Sequence, residues 1–519
     1  MKKSLTAAAL LCAAAFPVYF LAPSCSPHHD GNTLVILHTN DTHSQIEPGT
    51  DGMGGVMRRK AVIDSIRGAE PNVLLVDAGD AVQGTLYFYL YGGKVEQEVM
   101  NILGTDMRIL GNHEFDNGID SLAAVLRLSD ATKLATNYQL DSTALKGMFR
   151  PYEIKQVGDK KIGFIGINLN PDGIVAKGNY DGLAFLPIVA TANLTAEKLR
   201  KEDKVDAVVA LTHIGYNPAG LVGDSVLAAN SRGIDVIIGG HSHDVIDPTT
   251  DRGGRRSHMR NLDGKPVLVV QTGKAGRNLG KIKINLDSLG AGAYPQYELI
   301  RIDNRLDGRI DKKLADMLSG YSAGVDSLMH DWIGTTSREL PSDDPELLNF
   351  FADYVMGRGA EISTDVDLAI VNKGGLRAGI PEGRFSKGHI INMVPFRNYV
   401  TVVDIKGKDL ADVFDVMAVT EGNGVSGNVS VDYTHDGEKP AVRRILIDGK
   451  PLDPAATYRV ATIDYLAKGG DYMTGFTRGN IAAMSDRAVF DDLIYYFTAG
   501  KGKGKELKAS PDRRWHLTN

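Results

Sequence analysis

Cysteine is nearly absent from this chain. Of its 519 residues only Cys12 and Cys25 are cysteines, and both lie close to the N-terminus. The rest of the chain therefore lacks the thiols needed for a disulfide framework, a cysteine nucleophile or a thiolate metal site. Any metal bound after residue 25 must be held by nitrogen and oxygen ligands.

Positive charge and long apolar runs are also scarce. The formal net charge is −6, whereas a dedicated nucleic-acid binder needs a basic face, so no nucleic-acid polymer is expected as a partner. No apolar run of about 18 residues follows residue 22, which excludes a polytopic membrane protein. A content of 43% hydrophobic and 24% charged residues is typical of globular domains. The length of 519 residues predicts about two to four of them.

The N-terminus has the parts of an export signal. Lys2 and Lys3 precede an apolar run over residues 5–22. A charged start followed by a short apolar core is typical of a secretory signal peptide, which we predict over residues 1–25.

The end of this signal resembles the lipobox of bacterial lipoproteins, because small residues precede Cys25. Ala22 stands where a strict lipobox has Leu. The resemblance implies that Cys25 carries a lipid anchor, followed by a tether over residues 26–32, and that the exported protein sits at the outer membrane, facing the periplasm or the surface. A plain signal peptide with an incidental cysteine and an uncleaved anchor are the alternatives.

Short apolar runs bounded by turn residues fill residues 33–302. Continuous runs of Val, Ile and Leu are typical of strands buried on both faces, so this block is predicted to be an α/β domain with helices flanking its sheets. The predicted strands are residues 33–38, 73–76, 107–110, 162–167, 207–211, 236–238 and 267–270.

A second α/β block is predicted over residues 332–519. Its predicted strands are residues 368–371, 400–405, 444–447 and 458–462. Between the two blocks, residues 303–331 carry apolar side chains at intervals of four, which predicts one amphipathic connector helix. These side chains are Leu306, Ile310, Leu314 and Leu318.

Residues that can bind metal follow five strands of the first block. Because the carboxyl ends of strands form the ligand crevice of α/β sheets, we expect these groups to converge. Imidazole, carboxylate and one carboxamide suit Zn, Mn, Fe or Mg, and seven donors exceed the needs of one tetrahedral ion. Two ions that share a carboxylate could clamp a phosphoryl group and hold a hydroxide for in-line attack. The seven donors are Asp41, His43, Asp80, Asn112, His213, His241 and His243.

This pattern resembles the signature of the calcineurin-like metallophosphoesterases. The run from Asn40 to His43, with residues 111–116 (Gly-Asn-His-Glu-Phe-Asp), resembles the bacterial 5′-nucleotidase/UDP-sugar hydrolase family. The resemblance implies an α/β fold with an N-terminal four-layer metallophosphoesterase β-sandwich flanked by helices (33–302), a linker helix (303–331) and a C-terminal α/β substrate-binding domain (332–519).

The resemblance also implies two divalent ions, Zn, Mn or similar. One would be held by Asp41, His43, Asp80 and His243, and the other by Asp80, Asn112, His213 and His241, with Asp80 bridging. His243 stands where close family members have Gln. The implied catalytic pair is His113 and Asp116: the imidazole stabilises or protonates oxygen, and the carboxylate fixes its tautomer.

The same family implies that the second domain selects the substrate. Asn372 and Arg377 lie in a loop that resembles the family's Asn-x-Gly-Gly-x-Arg, where these two side chains contact the base and the phosphate or ribose. Tyr465 would stack on a base and Asp471 would accept hydrogen bonds from ribose. Two family features are missing: residues 421–427 have no aromatic side chain and residues 342–346 have no arginine.

The sequence therefore predicts an exported di-metal phosphohydrolase. Its expected substrates are nucleoside 5′-monophosphates, and UDP-sugars are further candidates. A 2′,3′-cyclic nucleotide phosphodiesterase/3′-nucleotidase is the alternative within the class. From another class, the alternative is a catalytically silent nucleotide-binding lipoprotein of the cell surface.

Overall fold

A computed structural model describes residues 31–218, 221–249, 251, 256–289, 292–419, 423–435 and 440–518. The predicted signal peptide, Cys25 and the start of the tether lie outside the described residues. Within the described part of the chain, no helix has the length and apolar character needed to cross a membrane.

Two mixed sheets form the first domain. One has the order β15-β14-β1-β2-β3-β4, and the other has the order β11-β13-β10-β9-β7-β6 with β12 also paired to β13. The strands are β1 (Thr33–Thr39), β2 (Val73–Asp77), β3 (Met107–Arg108), β4 (Thr132–Lys133), β5 (Tyr138–Gln139), β6 (Tyr152–Val157), β7 (Lys160–Asn168), β8 (Ala184–Phe185), β9 (Ala207–His213), β10 (Val236–Ile238), β11 (Val245–Ile246), β12 (His258–Arg260), β13 (Pro266–Thr272), β14 (Asn278–Asn285) and β15 (Gln296–Arg301).

The two sheets pack face to face and helices cover both outer faces. Ile36 of one sheet and Phe164 of the other belong to the same fully buried cluster. Alternate residues such as Leu37 point outward to one helical layer, and Val208 points to the other. Strands buried on both faces need apolar residues at every position, which explains the continuous runs in the sequence. The four-layer sandwich with flanking helices is confirmed.

The helices of this domain fill the connections between strands. They are α1 (Val56–Ala69), α2 (Leu86–Tyr91), α3 (Lys94–Leu103), α4 (Ile119–Leu126), α5 (Ile188–Lys201), α6 (Asp224–Asn230) and α7 (Leu286–Leu289). The strands β1, β2 and β3 run parallel, so their carboxyl ends lie at one edge of the sheet. The strands β9 and β10 are likewise parallel to each other.

The connector helix α8 (Lys312–Met329) is shorter than predicted. It begins after Asp311, whose side chain accepts a hydrogen bond from the backbone N–H of Leu314 and so caps the first turn. Leu314 and Leu318 lie on its apolar face and are buried against the first domain. The prediction that Ile310 lies on the same apolar face is wrong: Ile310 precedes the helix and its side chain is 74% exposed.

The second domain has a five-stranded sheet of order β20-β17-β24-β19-β25 and a four-stranded sheet of order β23-β22-β21-β26. Its strands are β16 (Trp332–Thr336), β17 (Leu368–Val371), β18 (Gly383–Ser386), β19 (Tyr399–Lys406), β20 (Gly424–Val425), β21 (Val429–His435), β22 (Pro440–Ile447), β23 (Lys450–Pro451), β24 (Thr457–Ile463), β25 (Asn480–Ala488) and β26 (Trp515–Leu517). Its helices are α9 (Pro345–Ile362), α10 (Lys387–Met393), α11 (Gly407–Val419), α12 (Asp464–Ala467) and α13 (Val489–Thr498).

Candidate metal centre and substrate cavity

The seven predicted metal ligands meet where the strand ends of the two sheets converge. Three overlapping groups of donor atoms each lie within 4.8 Å: Asp41 with His43 and His243, His43 with Asp80 and His113, and Asp80 with His213 and His241. Asn112 joins them, because its Oδ1 lies 2.9 Å from Nδ1 of His241.

The backbone at this centre is held in an unusual conformation. Five of the seven predicted ligands have φ between +47° and +78°, the left-handed region that side chains other than glycine seldom adopt. Such residues cluster at functional sites, where the surrounding fold compensates for the strain. These five residues are Asp41, His43, Asp80, His241 and His243.

The donor geometry suits a metal ion. Nδ1 of His213 lies 2.7 Å from the backbone oxygen of Ala78, so its N–H donates to that oxygen. Nε2 of His213 faces Oδ2 of Asp80 at 3.1 Å. A deprotonated Nε2 and a carboxylate oxygen this close repel each other, so a proton lies between them in the metal-free protein and a metal ion can replace that proton. The residues present therefore fit a divalent ion.

A second pair of ring nitrogens faces the same space. Nε2 of His43 lies 2.9 Å from Nε2 of His243, and Nε2 of His243 lies 3.4 Å from Oδ1 of Asp41. The set contains nitrogen and oxygen donors only, which matches Zn, Mn and similar ions.

Glycines at two positions allow the loops of this centre to approach each other closely. A Cβ on Gly111 would overlap the Asp80 carboxylate, and a Cβ on Gly240 would lie 2.8 Å from Nδ1 of His213. Side chains at these two positions would displace the ligands, so the close approach requires glycine.

Glu114 fixes the loops that carry Asp80 and Asn112. Its carboxylate accepts hydrogen bonds from the backbone N–H groups of Asp80, Ala81 and Gly111, at 3.0, 3.0 and 2.6 Å. It also forms an ion pair of 3.0 Å with Arg108, and both side chains are fully buried. Glu114 lies within the motif at residues 111–116, but only the tertiary structure shows that it holds these loops in place.

The side chains of His113 and Asp116 contact each other. Nδ1 of His113 lies 3.0 Å from Oδ2 of Asp116, so the N–H donates to the carboxylate and Nε2 is left to meet a substrate. Burial lowers the pKa of His113, but the carboxylates of Asp116 and Asp80 outweigh this effect and raise it above its ordinary value. The imidazole is therefore well suited to donate a proton or stabilise an anion.

The other imidazoles of the centre differ in charge. Burial lowers the pKa of His241 to about 4, and burial with the nearby Arg377 guanidinium holds that of His43 well below its usual range. Burial opposes the charge on His213 as well, but the Asp80 carboxylate outweighs it and raises the pKa of His213 to about 10. Two neutral rings and one charged ring thus surround the carboxylates.

A cavity of about 640 Å³ opens beside this centre, between the two domains. All four predicted substrate residues line it. Nδ2 of Asn372 donates to Oδ2 of Asp471 at 2.7 Å, and the Tyr465 hydroxyl lies 2.8 Å from Oδ1 of Asp471. Nη2 of Arg377 reaches across to Nε2 of His43 at 3.0 Å. One face of the Tyr465 ring is covered by Gly470.

Several cavity residues were not found from the sequence. Phe396 and Arg397 precede strand β19, and Phe88, Tyr89 and Phe490 lie on or beside helices of both domains. The expected ligand crevice lies at strand ends, so residues that precede a strand were overlooked. The run Pro-Phe-Arg-Asn at 395–398 was the available signal, because it interrupts an apolar stretch directly before a strand.

Comparison with known proteins agrees with this architecture. The calcineurin-like phosphoesterase family matches residues 34–245, and the 5′-nucleotidase C-terminal domain family matches residues 324–478. The chain is 28% identical to the human 5′-nucleotidase over 487 residues, which is 84% of this chain and 83% of that one. It is also 28% identical to the trifunctional nucleotide phosphoesterase protein YfkN of Bacillus subtilis over 86% of this chain, which spans 32% of that longer protein.

A solved structure has the same fold over nearly the whole length. The crystal structure of a 5′-nucleotidase precursor from Thermus thermophilus superimposes with a TM-score of 0.83 and 28% identity, covering 94% of this chain and 99% of that one. These matches, together with the donor cluster, identify a metal-dependent phosphoester hydrolase. The chain belongs to the family that joins a calcineurin-like phosphoesterase domain to a 5′-nucleotidase C-terminal domain.

Proposed function

We propose that this protein hydrolyses nucleoside 5′-monophosphates and releases phosphate with the help of two divalent ions. The observation that carries the proposal is that one cavity joins the donor cluster and His113 to Asn372, Tyr465 and Asp471. A nucleoside monophosphate has a phosphoryl group at one end and a nucleoside at the other. The two kinds of surface in this cavity match these two ends. A volume of about 640 Å³ is typical of sites for molecules of this size.

Seven side chains would hold the two ions. Bound divalent ions supply a Lewis acid for the phosphoryl oxygens and lower the pKa of water to near 7. Asp80 would be the bridging ligand, because its carboxylate belongs to two of the three donor groups, and the imidazole of His43, which also belongs to two, cannot bridge. The first ion would be held by Asp41, His43, Asp80 and His243, and the second by Asp80, Asn112, His213 and His241.

Three further side chains would act on the phosphoryl group and the leaving oxygen. His113 donates from Nε2, and Asp116 holds its other ring nitrogen at 3.0 Å and stabilises the charged form. Arg377 offers a planar guanidinium to the phosphate oxygens, which favours bidentate contact. The pKa of Arg377 is lowered by burial, yet the carboxylates of Asp80 and Asp116 favour its charge.

The nucleoside would lie against the second domain. The face of the Tyr465 ring opposite Gly470 would stack on a base. Asn372 and Asp471 are already joined by a hydrogen bond of 2.7 Å, so the two polar groups form one recognition unit for the base edge and the ribose hydroxyls. UDP-sugars, which carry a second group on the phosphate, belong in the substrate test.

Export belongs to the same proposal. The residues that support it are Lys2, Lys3, the apolar run over 5–22 and the small residues before Cys25. We expect the mature protein to begin at Cys25 and to carry a lipid there. Mass spectrometry of the mature N-terminus tests this directly, and a Cys25→Ala variant that stays membrane-bound would contradict it.

The test is product formation by the metal-stripped protein with Mn or Zn added back. It is followed as phosphate release for the monoesters and by chromatography for 2′,3′-cyclic AMP and UDP-glucose, whose first cleavage releases no free phosphate. The panel contains AMP, other 5′-monophosphates, 3′-AMP, 2′,3′-cyclic AMP, UDP-glucose and 4-nitrophenyl phosphate. We expect 5′-monophosphates to be the best substrates, with activity lost in EDTA and restored by metal. An Asp80→Asn variant prepared in parallel controls for contaminating phosphatases. Preference for cyclic or 3′-nucleotides would support the alternative phosphodiesterase, and nucleotide binding without hydrolysis would support a silent binding protein.

A further inference from the structure

Asp224 is a fully buried carboxylate of the first domain that is not one of the seven predicted metal ligands. It is the first residue of helix α6. Its Oδ1 accepts a hydrogen bond from the Thr212 hydroxyl at 2.6 Å, and its Oδ2 accepts one from Nε2 of Gln271 at 3.1 Å. Thr212 directly precedes His213, so one end of this network reaches a predicted metal ligand.

Gln271 extends the network to the loop that carries two more histidine ligands. Its Nε2 also donates to the backbone oxygen of Gly240 at 3.2 Å, and its Oε1 accepts a hydrogen bond from the Ser242 hydroxyl at 3.1 Å. Gly240 directly precedes His241, and Ser242 separates His241 from His243. Two buried side chains thus contact the chain neighbours of three predicted ligands.

The loop that these contacts hold is strained. His241 and His243 have φ of +78° and +58°, and such a conformation persists only where the surrounding structure fixes it. Asp224 also packs directly on the start of this loop, because a Cβ on Gly239 would overlap its carboxylate. The side chains of Asp224 and Gln271 are fully buried, so water cannot readily replace either of them as a hydrogen-bond partner.

We propose that Asp224 and Gln271 are positioning residues that hold His213, His241 and His243 in place for the two ions. They act through the residues beside these histidines rather than as ligands. The inference rests on the metal-binding part of the proposed function, and it adds two residues from outside the donor set. Because two of the three histidines belong to the set proposed for the second ion, the affinity for that ion should depend on them most.

The experiment titrates Mn into the metal-stripped wild type and Asp224→Ala by calorimetry. Loss of a group that orients a metal ligand typically lowers metal affinity by about 10- to 100-fold, and we expect a loss of this size for one of the two ions. Asp224→Asn should stay within about threefold of the wild type, because an amide both accepts and donates. Its oxygen can accept from Gln271 and its Nδ2 can donate to the Thr212 hydroxyl. That hydroxyl can then donate to the backbone oxygen of Ile238, which lies 3.4 Å away.

Asp235→Ala is the matched control. Asp235 accepts a hydrogen bond from the backbone N–H of Val208 at 2.7 Å and pairs with Arg200, just before the start of strand β10 and not at the end where the ligands follow. The unfolding temperature of each variant is measured in EDTA and in Mn. Asp235→Ala should lower both temperatures equally, because it only weakens the fold. Asp224→Ala should also reduce the rise that Mn produces, since a bound ion stabilises the folded state according to its affinity.

A double-mutant cycle tests whether Asp224 and Gln271 act as one network. Gln271→Ala removes the contacts to Gly240 and Ser242, so it should lower Mn affinity by a similar factor. The double variant should bind Mn within about threefold of the weaker single variant, because both substitutions break the same set of contacts. Gln271→Ala also carries the test by itself if Asp224→Ala fails to fold.

The outcomes separate this inference from the proposed function. Mn affinities of Asp224→Ala and Gln271→Ala within about threefold of the wild type would overturn the inference. Equal losses in Asp224→Ala and Asp224→Asn would assign the effect to the charge of the carboxylate and overturn positioning by hydrogen bonds, and additive losses in the double variant would overturn the shared network. If the wild type binds Mn but hydrolyses no phosphoester, the proposed function fails while the inference stands.

Discussion

Nη2 of Arg377 lies 3.0 Å from Nε2 of His43, so a guanidinium of the second domain donates a hydrogen bond to an imidazole of the first. The same nitrogen of His43 faces His243 at 2.9 Å, where a metal ion is expected. One lone pair cannot serve both a guanidinium and an ion. We therefore expect metal binding to release Arg377 from His43 and to free its donors for a phosphate.

Removing this guanidinium should separate metal binding from substrate binding. We expect Arg377→Ala to bind Mn at least as tightly as the wild type, because a competitor for His43 is gone. Its KM for AMP should rise by about 10- to 100-fold, the effect of losing a hydrogen bond to a charged group. Calorimetric metal titration and steady-state kinetics measure the two effects. Arg338→Ala, at an exposed surface ion pair, should change neither, and weaker metal binding by Arg377→Ala would refute the expectation.

His113→Ala should lower turnover without loss of metal. General acid–base groups contribute about 100- to 10,000-fold, and we expect a decrease in that range. Asp116→Asn should have a smaller effect, since it weakens only the hydrogen bond that orients the ring at 3.0 Å. Kinetics combined with elemental analysis of the purified variants checks both. Loss of an ion from His113→Ala would instead make His113 a ligand.

Metal binding should release a proton from His213. The pKa of this ring is about 10, against an ordinary value of 6.5, because the Asp80 carboxylate outweighs the effect of burial. A ligating nitrogen must be deprotonated, so metal affinity should rise by about tenfold per pH unit between pH 7 and 9. Calorimetry in buffers of different ionisation enthalpy should detect about one proton per molecule at pH 7. Heats that do not depend on the buffer would contradict this.

The same shift predicts how the metal-free protein responds to pH. Because the pKa of His213 is raised in the folded protein, its protonation stabilises the fold. This contribution is fully present below pH 6.5, the pKa of the ring in the unfolded chain, and it is lost as the pH rises through about 10. The unfolding temperature of the EDTA-treated protein should therefore fall between pH 7 and 10, and that of the metal-loaded protein should fall less. Equal pH dependence of the two forms would exclude His213 as the cause.

The buried ion pair between Arg108 and Glu114 should be essential for stability. Arg108→Met leaves the Glu114 charge uncompensated, which typically costs about 3–5 kcal/mol of unfolding free energy. Denaturant unfolding measures the loss. Asp316→Ala is the control, because its pair with Lys312 is exposed and should contribute less than about 1 kcal/mol. A loss for Arg108→Met no larger than that of the control would show that the pair is dispensable.

Tyr465→Ala should weaken nucleotide binding selectively. Stacking on a base contributes about 1–3 kcal/mol, so KM for AMP should rise by about 5- to 150-fold while hydrolysis of 4-nitrophenyl phosphate changes little. Tyr465→Phe keeps the ring but removes the hydroxyl that bonds Asp471 and the backbone oxygen of Ile174. The KM of Tyr465→Phe for AMP should therefore lie between those of the wild type and Tyr465→Ala. Equal losses on both substrates would exclude base stacking.

Much of the candidate site could be predicted because its information is local. Every predicted metal ligand follows an apolar strand within a few residues, and parallel strands place their carboxyl ends together. The buried strands themselves were predictable from continuous apolar runs. The connector helix was predicted less well. Apolar side chains at every fourth position continue back through Ile310, but the helix begins only after Asp311, which caps its first turn.

The sequence by itself determined the candidate donor set, the absence of thiol chemistry after residue 25 and the two-block organisation, since these follow from composition and from patterns a few residues long. Only the tertiary structure decided which side chains share the cavity with these donors. Phe396 of the second domain meets His113 of the first, and Arg377 meets His43 across 334 positions of chain. Such contacts depend on how two separately folded domains pack, and no local pattern carries that information.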